Sequence, residues 1–96
     1  MRLKPTEITA IKHCTQQYFN QSKIYLFGSR TDDKKKGGDI DLYIETTIQE
    51  DLLEKEIKFL VNLKQLIGEQ KIDLVINNNT QDKFIYKQAK QTGIEL

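Results

Sequence analysis

The chain has a single cysteine, Cys14, so no internal disulfide can form; with no apolar leader-like stretch near its start, a reducing cytoplasm is the expected setting. No run approaches the roughly 20 apolar residues of a membrane span, so no membrane partner is expected. Net charge is almost absent as well. Lys and Arg number 15 against 14 Asp and Glu, leaving +1, which exerts no general pull on nucleic acid or lipid. Direct nucleic-acid binding is therefore not expected, and any phosphate must be held locally. There is one proline, no internal repeat and no linker, and 96 residues suffice for one compact unit but not two. Residues 1–96 thus read as a single domain, which excludes a separate substrate domain. What is present is an ordinary globular mixture, 38% hydrophobic and 30% charged, whose mean hydropathy of −0.60 implies a modest core.

Ile8, Ile11, Cys14, Tyr18 and Phe19 recur at helical spacing over residues 5–20, with Pro5 suited to the first turn. Residues 24–27, Ile-Tyr-Leu-Phe, are too short for a helix and rich in strand formers, and they stop at Gly28-Ser29. After a polar loop ending in Gly37-Gly38, residues 39–45 alternate as a second strand. Thr47 and Glu50 have the spacing of a capping box, and Leu53, Ile57, Leu60, Leu63, Leu66 and Ile67 keep a helical period up to Gly68. Residues 71–76 form a third strand. Thr80 is placed to cap a last helix over residues 81–91, with Gly93 as its stop and Ile94 and Leu96 packing back on the body. The order helix, strand, strand, helix, strand, helix gives an α/β (α+β) domain. Its first two strands join as an antiparallel hairpin and the middle helix is a parallel crossover, so a mixed three-stranded sheet with helices on one face is expected.

Successive strand residues point to opposite faces, so Asp39, Asp41 and Tyr43 share one face while Ile40, Leu42 and Ile44 take the core side. In the third strand Ile72, Leu74 and Ile76 play the core part, which leaves Asp73 on the acidic face. With neighbouring strands about 4.8 Å apart, three carboxylates converge. Such crowding raises carboxyl pKa values unless a cation balances it. Oxygen donors with no His or thiolate nearby favour Mg²⁺ or Mn²⁺ over Zn²⁺. Two such ions about 3.5–4 Å apart can activate an attacking oxygen and stabilise a leaving one. The turn after the first strand completes the picture: Gly28 permits close backbone approach, Ser29 offers a hydroxyl and an amide, and Arg30 a forked cation, a set suited to a triphosphate. The turn is not a P-loop, because the Gly-Lys-Ser/Thr ending is absent.

Phe27-Gly28-Ser29-Arg30, a polar loop, and then Asp39-Ile40-Asp41-Leu42 together resemble the signature of the polymerase-beta-like nucleotidyltransferase superfamily. Asp73, in Lys71-Ile72-Asp73-Leu74-Val75, looks like the third acid of that superfamily, and the short length is similar to its minimal nucleotidyltransferase branch. The resemblance implies that Asp39 and Asp41 bind two Mg²⁺, that Asp73 completes the site as ligand or base, and that Gly28 and Ser29 contact the triphosphate of ATP. It further implies an antitoxin partnered by an all-helical HEPN toxin, silenced by AMP transfer to a toxin tyrosine; a homo-oligomer and a hetero-oligomer with the toxin both stay open. Since one domain leaves no room for an acceptor pocket, a partner chain is expected to bring the acceptor.

Other readings stand beside these. An antitoxin could neutralise by covering the toxin without catalysis, or the transfer could go to a small molecule; a template-directed polymerase fits the charge poorly. Asp73 could instead protect an edge strand from aggregation. Arg30 is open between phosphate contact and structural pairing, Tyr43 between base stacking and packing, and the last helix between core closure and partner contact. Lys34, Lys35 and Lys36 read as a solvated loop tip offset by Asp32 and Asp33, or as a phosphate clamp. His13 and Cys14 read as structural or exposed.

Overall fold

The first helix, α1 (Pro5–Tyr18), begins where Pro5 fixes the first turn and Glu7 reaches back to accept the Lys4 N–H at 2.9 Å. This computed structural model describes residues 2–32 and 38–96; Asp33, the lysine tip 34–36 and Gly37 lie outside them. Ile11, Cys14 and Phe19 are fully buried, so α1 uses the apolar face its spacing indicates. Strand β1 (Lys23–Phe27) follows, then a 3-10 turn over Gly28–Thr31, β2 (Ile40–Glu45), α2 (Leu52–Ile67), β3 (Ile72–Asn77), α3 (Phe84–Thr92) and a two-residue strand β4 (Ile94–Glu95). β1 and β2 pair antiparallel and β2 and β3 parallel, as the hairpin and crossover require. The sheet order is β3-β2-β1-β4.

Strand parity divides the buried side chains into two layers. Ile24 and Leu26 of β1, Ile40, Leu42 and Ile44 of β2 and Ile72 of β3 face α1 and α2, where Phe19 meets Phe59 edge-on at 5.9 Å between ring centres. On the other face Tyr25, Tyr43 and Ala89 form a second, smaller cluster with Phe27, Val75 and Tyr86 packed against it. Among the described residues no helix is long and apolar enough to cross a membrane.

Mixed sheet and element order agree with expectation, and four details differ. The sheet has four strands, not three: Gly93 sits so close to β1 that a Cβ there would lie 3.0 Å from the Leu26 carbonyl oxygen, which lets the chain fold back and pair Ile94 with Leu26 and Glu95 with Tyr25. Helices cover both faces, because α3 carries Tyr86 and Ala89 onto the aromatic patch that Tyr25 and Tyr43 present opposite the main core. α2 starts at Leu52 without a Thr47–Glu50 box. The preceding segment is tied to the end of β3 instead, with Thr46 N–H donating to Asn77 O at 2.9 Å and Gln49 Nε2 to Asn78 O at 2.7 Å. Its buried stripe runs through Leu52, Phe59, Leu60, Leu63 and Ile67, leaving Leu53, Ile57 and Leu66 exposed. Finally, α3 starts at Phe84, because the Thr80 hydroxyl donates to Asn78 Oδ1 at 2.6 Å rather than capping the helix.

Candidate active site

Phe27, the last residue of β1, is the register partner of Asp41, so Gly28 enters its turn directly beside that carboxylate. Gly28 has φ +76°, and a Cβ placed on it would lie 2.2 Å from Asp41 Oδ2, 3.1 Å from Cγ and 3.3 Å from Cβ. Only glycine serves here, both for the left-handed backbone and for the space. The 3-10 turn closes with the Thr31 hydroxyl donating to Gly28 O at 2.7 Å. Ser29 takes the second position of this turn; its hydroxyl lies outside the described atoms.

Across the sheet, Asp41 stands in parallel register with Asp73. Burial pushes the Asp41 carboxyl above its ordinary range, the negative charges of Asp73 and Asp39 push it further, and a side-chain hydrogen bond to Asp73 adds to the shift, while Lys71 pulls the other way. Asp73 is exposed, and Asp39, at the mouth of β2, has Lys71 Nζ 3.4 Å from its Oδ2. Asp41 and Asp73 therefore stand side by side on neighbouring strands, with Asp39 two residues before Asp41, and Asp73 lies on an edge strand. Lys71 is the charged neighbour that sequence reasoning passed over; its only signal is its place two residues before Asp73.

A sequence model of the family described as Polymerase beta, Nucleotidyltransferase matches residues 9–96. The chain belongs to that family. No curated protein matches it by sequence. The matched span takes in the Gly28 turn, β2 and β3, and nucleotidyltransferases of this family generally draw on a nucleoside triphosphate and Mg²⁺.

Among the described residues, no set of three His, Cys, Asp or Glu side chains is drawn together closely enough to hold a metal ion as it stands. Its donor chemistry nonetheless suits the family's cation. Asp41 and Asp73 offer hard oxygens from paired positions of neighbouring strands, burial and the negative charges of Asp73 and Asp39 hold the Asp41 carboxyl above its ordinary range, and Lys71 brings positive charge to Asp39.

Arg30 is committed to backbone and amide partners: Nη1 donates to Arg2 O at 2.9 Å, Nε to Gly38 O at 3.3 Å and Nη2 to Gln70 Oε1 at 3.4 Å. Tyr43 is 1% exposed under α3, its hydroxyl donating to Glu45 at 3.2 Å and accepting from Asn77 at 3.0 Å, so it packs rather than stacks on a base. Burial raises the Cys14 thiol, leaving it inert, and His13 is exposed on α1.

Proposed function

We propose that this nucleotidyltransferase is Mg²⁺-dependent and moves AMP from ATP to a tyrosine hydroxyl of a HEPN-type toxin, acting as its antitoxin. The observation that carries the transferase chemistry is the junction of Gly28, Asp41 and Asp73: a glycine turn pressed on one carboxylate that is itself paired across the sheet with a second. In this reading the amides of Gly28 and Ser29 bind and orient the triphosphate, and Asp39 and Asp41 would hold the cation, with Asp73 completing the site as ligand or base. Bound there, divalent metal would neutralise the charge that builds on the phosphoryl oxygens. The acceptor oxygen bonds to the α-phosphorus, the bond to the bridging oxygen breaks, pyrophosphate leaves, and the acceptor proton passes to Asp73. Asp73 suits that part because it faces solvent on the edge strand, where an incoming hydroxyl can reach it.

The acceptor rests on the resemblance of the short chain and its ending to the minimal nucleotidyltransferase branch. It is tested by intact mass of the product of the adjacent reading frame after incubation with the chain, ATP and Mg²⁺, beside an Asp39→Asn, Asp41→Asn control. Whole adenylyl units gained only with the native chain establish transfer and name the acceptor. An equally stable complex with both chains and no mass gain replaces transfer with neutralisation by covering. Neither gain nor complex removes this acceptor and leaves small-molecule transfer.

A further inference from the structure

Glu7 is 6% exposed, and both of its oxygens are in use. Oε1 accepts the Lys4 N–H at 2.9 Å and Oε2 accepts Gln70 Nε2 at 2.8 Å. Gln70 Oε1 in turn accepts Arg30 Nη2 at 3.4 Å, and Nε2 also donates to Ile67 O at 3.2 Å. Arg30 lies in the Gly28–Thr31 turn, and its other donors reach Arg2 O and Gly38 O, the residue before Asp39. Arg2 N–H returns a bond to Arg30 O at 2.8 Å. A chain of hydrogen bonds thus runs from α1, through the α2–β3 connection, to both ends of the loop that separates the glycine turn from the first acid.

We propose that Glu7 and Gln70 are positioning residues for nucleotide binding, acting through Arg30 to hold the Gly28-Ser29 turn against Asp39 and Asp41. The inference rests on reading that turn as the triphosphate site. Glu7 precedes the span that the family match covers, which begins at residue 9, whereas Arg30 and Gln70 lie within it.

Direction makes the relay testable. A guanidinium only donates and a carboxylate only accepts, so the Gln70 amide has one satisfactory orientation, with its oxygen toward Arg30 and its nitrogen toward Glu7. Glu7→Gln keeps size and the Lys4 bond but places a donor opposite a donor; turning the Gln70 amide over merely moves the clash to Arg30. Adding Gln70→Glu restores the sequence: the new amide donates to residue 70, whose carboxylate also accepts from Arg30. The swapped pair therefore keeps the links from residue 7 through residue 70 to Arg30 with the charge moved by one place, and gives up only the bond from Gln70 Nε2 to Ile67 O.

The experiment is titration calorimetry of MgATP into the native chain, Glu7→Gln, Gln70→Met and the Glu7→Gln, Gln70→Glu pair, with thermal unfolding of each. Expected is about a tenfold weaker dissociation constant for either single variant, and return to within about twofold of native for the swapped pair. If Glu7→Gln does not fold, Gln70→Met, which removes the link without a charge change, carries the comparison. Unfolding temperatures that fall and recover while MgATP affinity stays native overturn the inference and leave a purely structural network. Loss in the single variants with no recovery in the swapped pair overturns the relay as drawn. A native chain that binds no MgATP overturns both the functional reading and this inference, whereas native binding untouched by Glu7→Gln or Gln70→Met overturns the inference alone.

Discussion

Gly28→Ala separates two demands that meet at one residue. The left-handed backbone, φ +76°, costs a β-carbon about 1–2 kcal/mol, and the lost chain entropy of the unfolded glycine returns about 0.4–1 kcal/mol of that. The net stability loss from backbone alone is then about 1 kcal/mol, or about 4–8 °C in Tm for a chain of this size. The second demand is space. The new Cβ would lie 2.2 Å from Asp41 Oδ2, and although that oxygen can swing aside, the Asp41 Cβ at 3.3 Å is fixed by its strand. Relief to an ordinary contact moves the carboxylate by about 1 Å, a displacement that at a reacting centre costs about 10²-fold in rate.

The assay is adenylyl transfer per unit of folded protein, with Tm measured in the same buffer. The expected result is a modest drop in Tm and a drop in transfer about 10²-fold, far beyond what the loss of folded chain explains. Gly28→Ala that loses stability but transfers at the native rate refutes the role given to the Gly28–Asp41 contact. Native values of both refute the strain as well.

Asp41→Asn should abolish transfer and, without metal, stabilise the chain at neutral pH by about 0.2–1 kcal/mol, because it relieves repulsion from Asp73 and Asp39; urea denaturation in chelator checks this. The sign follows from Asp41's raised folded pKa: the metal-free native chain loses stability as pH rises from 3.8 through that value, and the variant should lack this slope. Glu7 behaves in the opposite sense. Burial raises its pKa, but the bonds from Gln70 and Lys4 and the charge of Arg30 outweigh that and leave it below 4.5, so its contribution is complete above 4.5 and disappears as pH falls through the folded value. Acid denaturation of Glu7→Gln should therefore be shallower below 4.5 than that of the native chain. Tyr43→Phe should cost about 1 kcal/mol by stranding Asn77 and Glu45 while leaving MgATP affinity native; a large loss of affinity would give the Tyr43 hydroxyl a part in nucleotide binding and refute its purely structural role.

Much of this architecture is legible in the sequence because period and parity are strong signals. Alternation through residues 39–45 places Asp39 and Asp41 opposite Ile40 and Leu42, and the same parity in residues 72–76 places Asp73 on the acidic face, where the register of β2 with β3 sets it beside Asp41. Short or one-residue features are less legible. A two-residue strand such as β4 has no alternation to detect, and the start of α2 depended on whether Thr46 through Gln49 would bond to the end of β3 or to the helix, a choice made by tertiary contact. Arg30 was ambiguous for a similar reason: its partners Arg2, Gly38 and Gln70 are scattered along the chain, and no local pattern announces them.

The placement of α3 was the most instructive departure, because the signal for it was present. Ile24, Tyr25, Leu26 and Phe27 are apolar without interruption, and a strand apolar on both sides needs cover on both sides. Tyr25 and Phe27 share their face with Asp41 and Asp73, so the covering helix had to lie on the acidic side of the sheet and stop short of the acids. α3 does this with Tyr86 and Ala89 over Tyr25 and Tyr43, and Lys90 pairs with Glu45 at 3.1 Å, at the end of β2 remote from Asp41. One strand face is thereby divided along its length. Its Glu45 end is roofed and serves stability, while at its Asp41 end Asp73 faces solvent on the edge strand and the carboxyls remain within reach of a substrate. The hydrophobic stretch of β1 and the acids of β2 are consequently parts of one arrangement, since β1 must be held firmly from both faces for its last residue, Phe27, to deliver Gly28 against Asp41.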